Sequence, residues 1–266
     1  MIRFIDIMRI NIDKQTFALS DPVVAYGADF DRGETIAPHT HDRAQLVFAK
    51  GGIMQVATEH GTWVVPPQRA VWLPPRIVHE ILFATRGSMR TLYFEPTLCE
   101  TTPSACTVVN VSPLLRELII GSVEGKRAKQ RWNHSVPLIL DEISSAGTAP
   151  LHLPEPEEPR LARVTAAMKA EPASRKTLND WAWSIGVSAR TLARLFAAHT
   201  GMTFRQWQRQ ARLLEALVRL AENQPVATVA YDLGYESSSA FIYAFRRALG
   251  TTPKRYFQTV ALGSAD

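Results

Sequence analysis

The chain of 266 residues holds only two cysteines, Cys99 and Cys106. Two close cysteines do not make a disulfide scaffold, so two reduced thiols are expected. No apolar run reaches the length needed to cross a bilayer. No charged-then-apolar leader opens the chain, because Arg3, Asp6 and Arg9 interrupt MIRFIDIMRI. These absences predict a soluble, cytoplasmic protein with no membrane partner. The composition present is that of a folded chain, 46% hydrophobic and 21% charged, long enough for two domains.

Charge divides the chain. Residues 1–159 carry 15 Lys/Arg against 18 Asp/Glu, whereas residues 160–266 carry 15 against 7. A mildly acidic front half and a basic back half suit a module that avoids phosphates joined to one that meets them. A solvated basic surface with no partner would have the same balance, so the pattern of residues must decide.

The back half supplies that pattern. TLNDWAWSIGVSARTLARLFAAHTG and VATVAYDLGYESSSAFIYAFRRALG each read as a short apolar-periodic helix, a turn at Gly186 or Gly234, and a second helix. Ser188, and Ser237 or Ser238, can cap the second helices by accepting an orphan backbone N–H. Thr177 with Asp180 approaches a capping box in form. A glycine turn between two helices is the helix-turn-helix pattern, whose second helix can enter a DNA major groove. Two such units in tandem, joined by FRQWQRQARLLEALVRLAENQ, strengthen the reading.

In the first recognition-type helix, Leu192, Leu195, Phe196 and His199 fall on one face, and Arg190 and Arg194 on the other. Arginines four apart on an outward face can reach guanine edges or phosphates. The connecting helix, 204 to 223, offers Arg205, Arg209 and Arg212 outward; Arg209 and Arg212 could meet phosphates or serve only solubility. In the second unit Phe241, Phe245 and Leu249 anchor the helix. Ser238, Ser239, Ile242, Tyr243 and Arg246 then face out. Base contact is expected from Arg190, Arg194, Ser238, Ser239 and Tyr243. Backbone contact is expected from Arg209, Arg246, Arg247, Lys254 and Arg255.

The front half has short β-type runs punctuated by Gly and Pro: AQLVFAK, IMQVAT, TWVVP, AVWLP, HEILFAT and MRTLYFEP. Runs of this length predict an antiparallel sandwich or barrel. His39 and His41 stand two apart, a spacing that shares a strand face. Trp63, Trp72 and Phe83 are either pocket walls or core. Further on, Ser112-Pro113 opens a helix through Leu114, Leu115, Leu118 and Ile119, and a second apolar helix covers 136–143. The pair either packs on the β domain or forms a homodimer interface. GTAPLHLPEPEEP, rich in Pro and Glu, reads as a stiff linker.

Two resemblances rest on these residues. Gly33-x5-His39-x-His41-x3-Gln45 and LPPRIVHEI, ending near His79, resemble the two cupin motifs. Gln45 stands where that family usually has Glu, and Arg76 where it usually has Gly. The resemblance implies a small barrel whose pocket holds His39, His41, Gln45 and His79. Its three imidazoles could take a divalent transition metal, and the pocket could take an organic effector with or without one. GYESSSAFIYAFRRALGTTPKRY resembles the C-terminal signature of AraC/XylS-type transcription regulators, through Gly234, Phe241, Phe245, Arg246, Gly250, Pro253 and Tyr256. That resemblance implies two helix-turn-helix units on one DNA face, an N-terminal cupin-like (RmlC-like) sensor domain, and base-contact roles for Arg190 and Arg194.

The expected architecture is an all-β cupin-like domain with flanking helices at 1–148, a linker at 149–159, and an all-α tandem helix-turn-helix domain at 160–266. The expected function is sequence-specific transcription regulation in response to a small molecule. Double-stranded DNA is the partner, with a homodimer and, for an activator, RNA polymerase as further partners. No catalytic residue and no certain cofactor are expected. The rival reading is a metal-dependent cupin enzyme with an appended helical domain.

Overall fold

A computed structural model describes residues 21–125 and 132–262; the opening MIRFIDIMRI lies outside them. The chain divides into two compact units. The first comprises residues up to 56 and 65–149, and the second 57–64 and 150 onward.

In the first unit β1 (Val23–Phe30), β8 (Gly87–Phe94), β3 (Ala44–Gly51), β6 (Arg69–Leu73) and β9 (Thr107–Asn110) form one sheet in that order. Every pairing in it is antiparallel. In the other sheet β4 (Met54–Thr58), β7 (His79–Phe83) and β2 (Thr35–His39) follow one another. Side chains on a strand alternate between faces. On β3 that period sends Leu46 and Phe48 to one side and Gln45 and Val47 to the other. Leu46 and Phe48 join Trp72, Leu92 and Phe94 in a core closed by Leu115, Ile119, Ile139 and Ile143.

Those last four residues come from α1 (Pro113–Glu124) and α2 (Trp132–Ser145). Ser112 caps α1, its hydroxyl accepting from the Leu115 amide at 3.0 Å, and it also bonds Glu142 of α2. At the other end of α1, Glu124 receives Lys50 at 3.0 Å and Arg90 at 2.7 Å. The apolar helical pair thus packs on the sheet. Trp72 belongs to that covered core, and its indole N–H donates to the Pro103 carbonyl. Phe83 stacks on Phe30 with ring centroids 3.7 Å apart, and Trp63, in the second unit, stacks on His152 at 4.2 Å. All three are packing residues.

The second unit contains β5 (Gly61–Val65, through Val64) and β10 (His152–Pro154), paired antiparallel with Leu153 opposite Thr62. The stretch read as a linker therefore holds a short strand, His152–Pro154. β10 also docks on a long helix, α6 (Phe204–Ala221): Trp207 donates to the Pro154 carbonyl at 2.9 Å and Gln210 to that of His152 at 3.1 Å. The Pro-rich composition hid this because the hydrogen bonds go to residues far along the chain.

Among the described residues, seven helices follow β10: α3 (Pro159–Ala170), α4 (Leu178–Ser184), α5 (Ala189–Thr200), α6, α7 (Val226–Asp232), α8 (Ser238–Leu249) and α9 (Pro253–Leu262). The expected stops are in place. Thr177 and Asp180 make a reciprocal capping box, Ser188 caps α5, and Ser237, not Ser238, caps α8. Thr203 and Gln206 add a capping box at α6. Gly234 sits at φ +76°, and a Cβ there would approach Ala173 to 3.0 Å. The turn between α7 and α8 thus needs glycine both for its backbone and for its neighbour.

Candidate DNA interface and effector pocket

In the first helix-turn-helix, α4 and α5 pack through Trp181, Ala182, Leu192, Leu195 and Phe196, all buried. A 3.6-residue period then sends positions 190 and 194 to the opposite face. Arg190 and Arg194 are both exposed. His199, expected on the buried face, is exposed as well, in the last turn of α5.

In the second unit Val229, Ala230, Phe241 and Phe245 are buried. Tyr235, Phe241, Phe245 and Tyr256 meet edge to face in series, with centroids 5.2, 5.9 and 5.8 Å apart. This leaves Ser239 and Tyr243 exposed and Ser238 partly so. Arg246 and Arg247 lie exposed in the last turn of α8, Lys254 and Arg255 in the first turn of α9, and Arg209 on α6. Arg209, Tyr243 and Arg247 line one groove of about 610 Å³ that Tyr235 and Gln206 help to floor.

One expected phosphate contact is overturned. Arg212 is half-buried and donates to the carbonyls of Pro172 at 2.8 Å and Ser174 at 3.2 Å, with its guanidinium 6.0 Å above the Tyr235 ring. Its charge is spent holding the α3–α4 loop. Two aromatics missed by the sequence reading, Trp183 and Tyr231, are 86% and 60% exposed. They hold equivalent positions, three residues before Gly186 and Gly234.

The pocket of the first unit gathers His39, His41 and His79, each offering one donor nitrogen to a set within 4.8 Å. β2 ends at His39, directly opposite His79 on β7, so the spacing of His39 and His41 acts through the strand end and the bulge beside it. Each ring turns Nδ1 to a carbonyl two residues away along the chain. His39 meets Ala37 at 2.9 Å, His41 meets Arg43 at 2.7 Å, and His79 meets Ile77 at 2.9 Å. His41 Nε2 lies 3.1 Å from Gln45 Oε1.

Gln45 is held in turn. Its amide NH₂ donates to Thr91 Oγ at 3.0 Å, and Thr91 donates to the Leu46 carbonyl at 3.0 Å. Thr91 reaches this position through the cross-strand register that sets it against Val47. Burial, with His39 and His41 nearby, pushes the His79 imidazole down to about 3, so it is neutral at physiological pH. Its Nε2 is buried with no hydrogen-bond partner among the described residues. Arg76 takes a left-handed φ of +66°, the conformation glycine supplies in the resembling motif, and donates its amide to the His41 carbonyl. Its side chain pairs with Asp42 at 2.9 Å in open solvent.

Comparison with known proteins agrees with both halves. Residues 22–148 match the AraC-like ligand binding domain, and residues 181–259 match a helix-turn-helix domain. The HTH-type transcriptional regulator NimR of Escherichia coli K12 is 34% identical over 240 residues, covering 89% of this chain and 88% of NimR. The chain belongs to the AraC family of transcription regulators. The HTH-type transcriptional regulator RipA of Corynebacterium glutamicum is 30% identical over 162 residues, 59% of this chain and 49% of RipA. Among solved structures, ToxT of Vibrio cholerae aligns with 90% of this chain and 98% of its own. Its TM-score is 0.39 and its identity 10%. This AraC-family chain thus has a β-rich ligand-binding domain and a helical DNA-binding region. No helix among the described residues is long and apolar enough to cross a membrane.

Proposed function

We propose that this regulator reads a specific promoter sequence through α5 and α8, and that a small molecule in the pocket around His39, His41, Gln45 and His79 biases that binding. The observation that carries the reading is the Arg190–Arg194 face. Two guanidiniums stand exposed one helical turn apart, opposite the buried stripe of a capped helix. Arg is suited to bidentate contact with guanine O6 and N7. Ser238, Ser239 and Tyr243 give the second unit a more neutral reading face. Arg209, Arg246, Arg247, Lys254 and Arg255 act on phosphates, which position the protein without specifying sequence.

The effector acts by its differential affinity for two states of the protein, since a ligand that binds both equally shifts nothing. The protein works in the cytoplasm as a homodimer, its exposed Leu114 and Leu138 lying on the two helices that cover the sheet. It touches RNA polymerase where it activates. The relatives are named as regulators, and the regulator reading is preferred to an enzymatic one on that ground. The test is binding of the purified protein to its own upstream region against random duplex at physiological salt. Tighter binding to the upstream region is expected; equal affinity would defeat the specific-regulator reading.

A further inference from the structure

We infer that the groove between α6 and α8 binds an amphipathic organic anion, a planar apolar body bearing a carboxylate or sulfonate, and that this ligand and duplex DNA exclude one another there. The groove lies within the second unit and holds about 610 Å³, inside the range of about 300–1,000 Å³ that small-molecule sites occupy. It is separate from the histidine pocket, whose residues belong to the first unit.

The polar groups set the sign of the ligand. Arg209 and Arg247 both line the groove, and no Asp or Glu lines it with them. Among the described residues neither guanidinium has an ion-pair partner, whereas Arg219, further along α6, is held by Glu215 and Asp232. Gln206 Oε1 accepts the Thr203 amide at 2.8 Å, so its NH₂ is left to donate. Burial raises the Tyr235 phenol above its ordinary value, so it keeps its proton and can donate as well. The groove thus presents two cations and further N–H and O–H donors, and no anion. A guanidinium meets a carboxylate or sulfonate through charge-assisted hydrogen bonds.

The apolar lining sets the body of the ligand. Leu213, Met202, Ala244 and Ala248 line the same groove as the two arginines. A phosphodiester alone would leave those side chains in water, whereas a ring system covers them. The Tyr235 and Tyr243 rings suit a flat partner, since aromatic pairs stack offset or meet edge to face. Tyr243 and Arg247 stand one turn apart on α8, and Arg209 comes from α6. A molecule seated between the two helices therefore covers Tyr243 and Arg247, which DNA would need. That exclusion rests on the DNA-contact reading of these two residues; the anion site itself does not.

The experiment titrates the full chain with anilinonaphthalene sulfonate and with neutral phenylnaphthylamine, which keeps the rings without the charge, both followed by fluorescence. The sulfonate is expected to bind saturably and roughly 10-fold tighter than the neutral dye. Arg209→Ala and Arg247→Ala are each expected to weaken it roughly 10-fold, the scale of a lost charge-assisted bond. Arg246→Ala, an exposed neighbour outside the groove, should leave it unchanged. Near-ultraviolet circular dichroism checks that each variant is folded. Affinity unmoved when Arg209 and Arg247 are both replaced overturns the site. Equal affinity for the two dyes overturns the anionic ligand. Displacement by inorganic phosphate at the same concentration as the dye overturns the apolar body. In a final arm the sulfonate is added to the chain on random duplex, where it should raise the apparent Kd for DNA. Dye bound in the groove with duplex affinity unchanged overturns the exclusion. The dye titrations contain no DNA, so failure to prefer the upstream region would defeat the regulator reading and leave the anion site standing.

Discussion

Replacing Arg190 and Arg194 by alanine isolates reading from folding. Both side chains are exposed on α5, and the residues that hold the helix, Leu192, Leu195 and Phe196, lie on its other face. Alanine is at least as good a helix former as arginine, so α5 itself is not weakened. The thermal midpoint should stay within about 1 °C, the scale expected of a surface change that is nearly neutral. Binding is another matter. A bidentate arginine–guanine contact contributes about 1–3 kcal/mol of discrimination, roughly 5–150-fold in Kd for each variant. A phosphate contact would act differently. It would weaken specific and random DNA together and lower the salt slope by about 0.9 per charge removed. The assay is fluorescence anisotropy on the upstream region and on random duplex, each over a series of salt concentrations. Loss confined to the specific duplex supports base reading. Unchanged binding in both variants, or a loss of binding that merely follows a fall in thermal midpoint, would refute the assignment.

Gly234→Ala forces a left-handed backbone on an L-residue and sets a Cβ 3.0 Å from Ala173. The strain alone should cost about 1–3 kcal/mol, seen as a lower denaturant midpoint with unchanged slope. Arg212→Ala strips the donor from two loop carbonyls. It should destabilise by about 1–3 kcal/mol, yet leave the DNA affinity of the folded fraction unchanged. Burial pushes both Cys99 and Cys106 up to about 11, holding the thiols neutral in the folded chain. An acid whose folded pKa is raised loses its contribution to stability as pH climbs through the window from the unfolded value towards 11. Alkylation at about pH 8 should accordingly be slow in native protein and fast in denaturant; equal rates would contradict the burial.

The parts of this fold that are local were legible. Caps at Ser112, Thr177 and Ser188 and turns at Gly186 and Gly234 are written in neighbouring residues, and the helices begin and end where these place them. Strands bounded by Pro or Gly were legible for the same reason. β10 was not: it is three residues long, ends at Pro154, and owes its existence to pairing with β5, far earlier in the chain. Arg212 looked like its neighbour Arg209, because nothing in an α-helical period reveals which arginine will meet a loop folding back from Pro172. In the pocket, the histidines announce themselves by type and spacing. Thr91 does not, since it finds Gln45 only through the register between β3 and β8.

The ladder of rings from Tyr235 to Tyr256 has an evolutionary corollary. It places the mechanical duties of α8 on Phe241 and Phe245, while Ser239 and Tyr243 bear none. Mutation can wander across the outer positions without disturbing the scaffold beneath. Descendants of one ancestor could in this way acquire new genomic addresses by retuning a few surface letters, their architecture remaining unaltered.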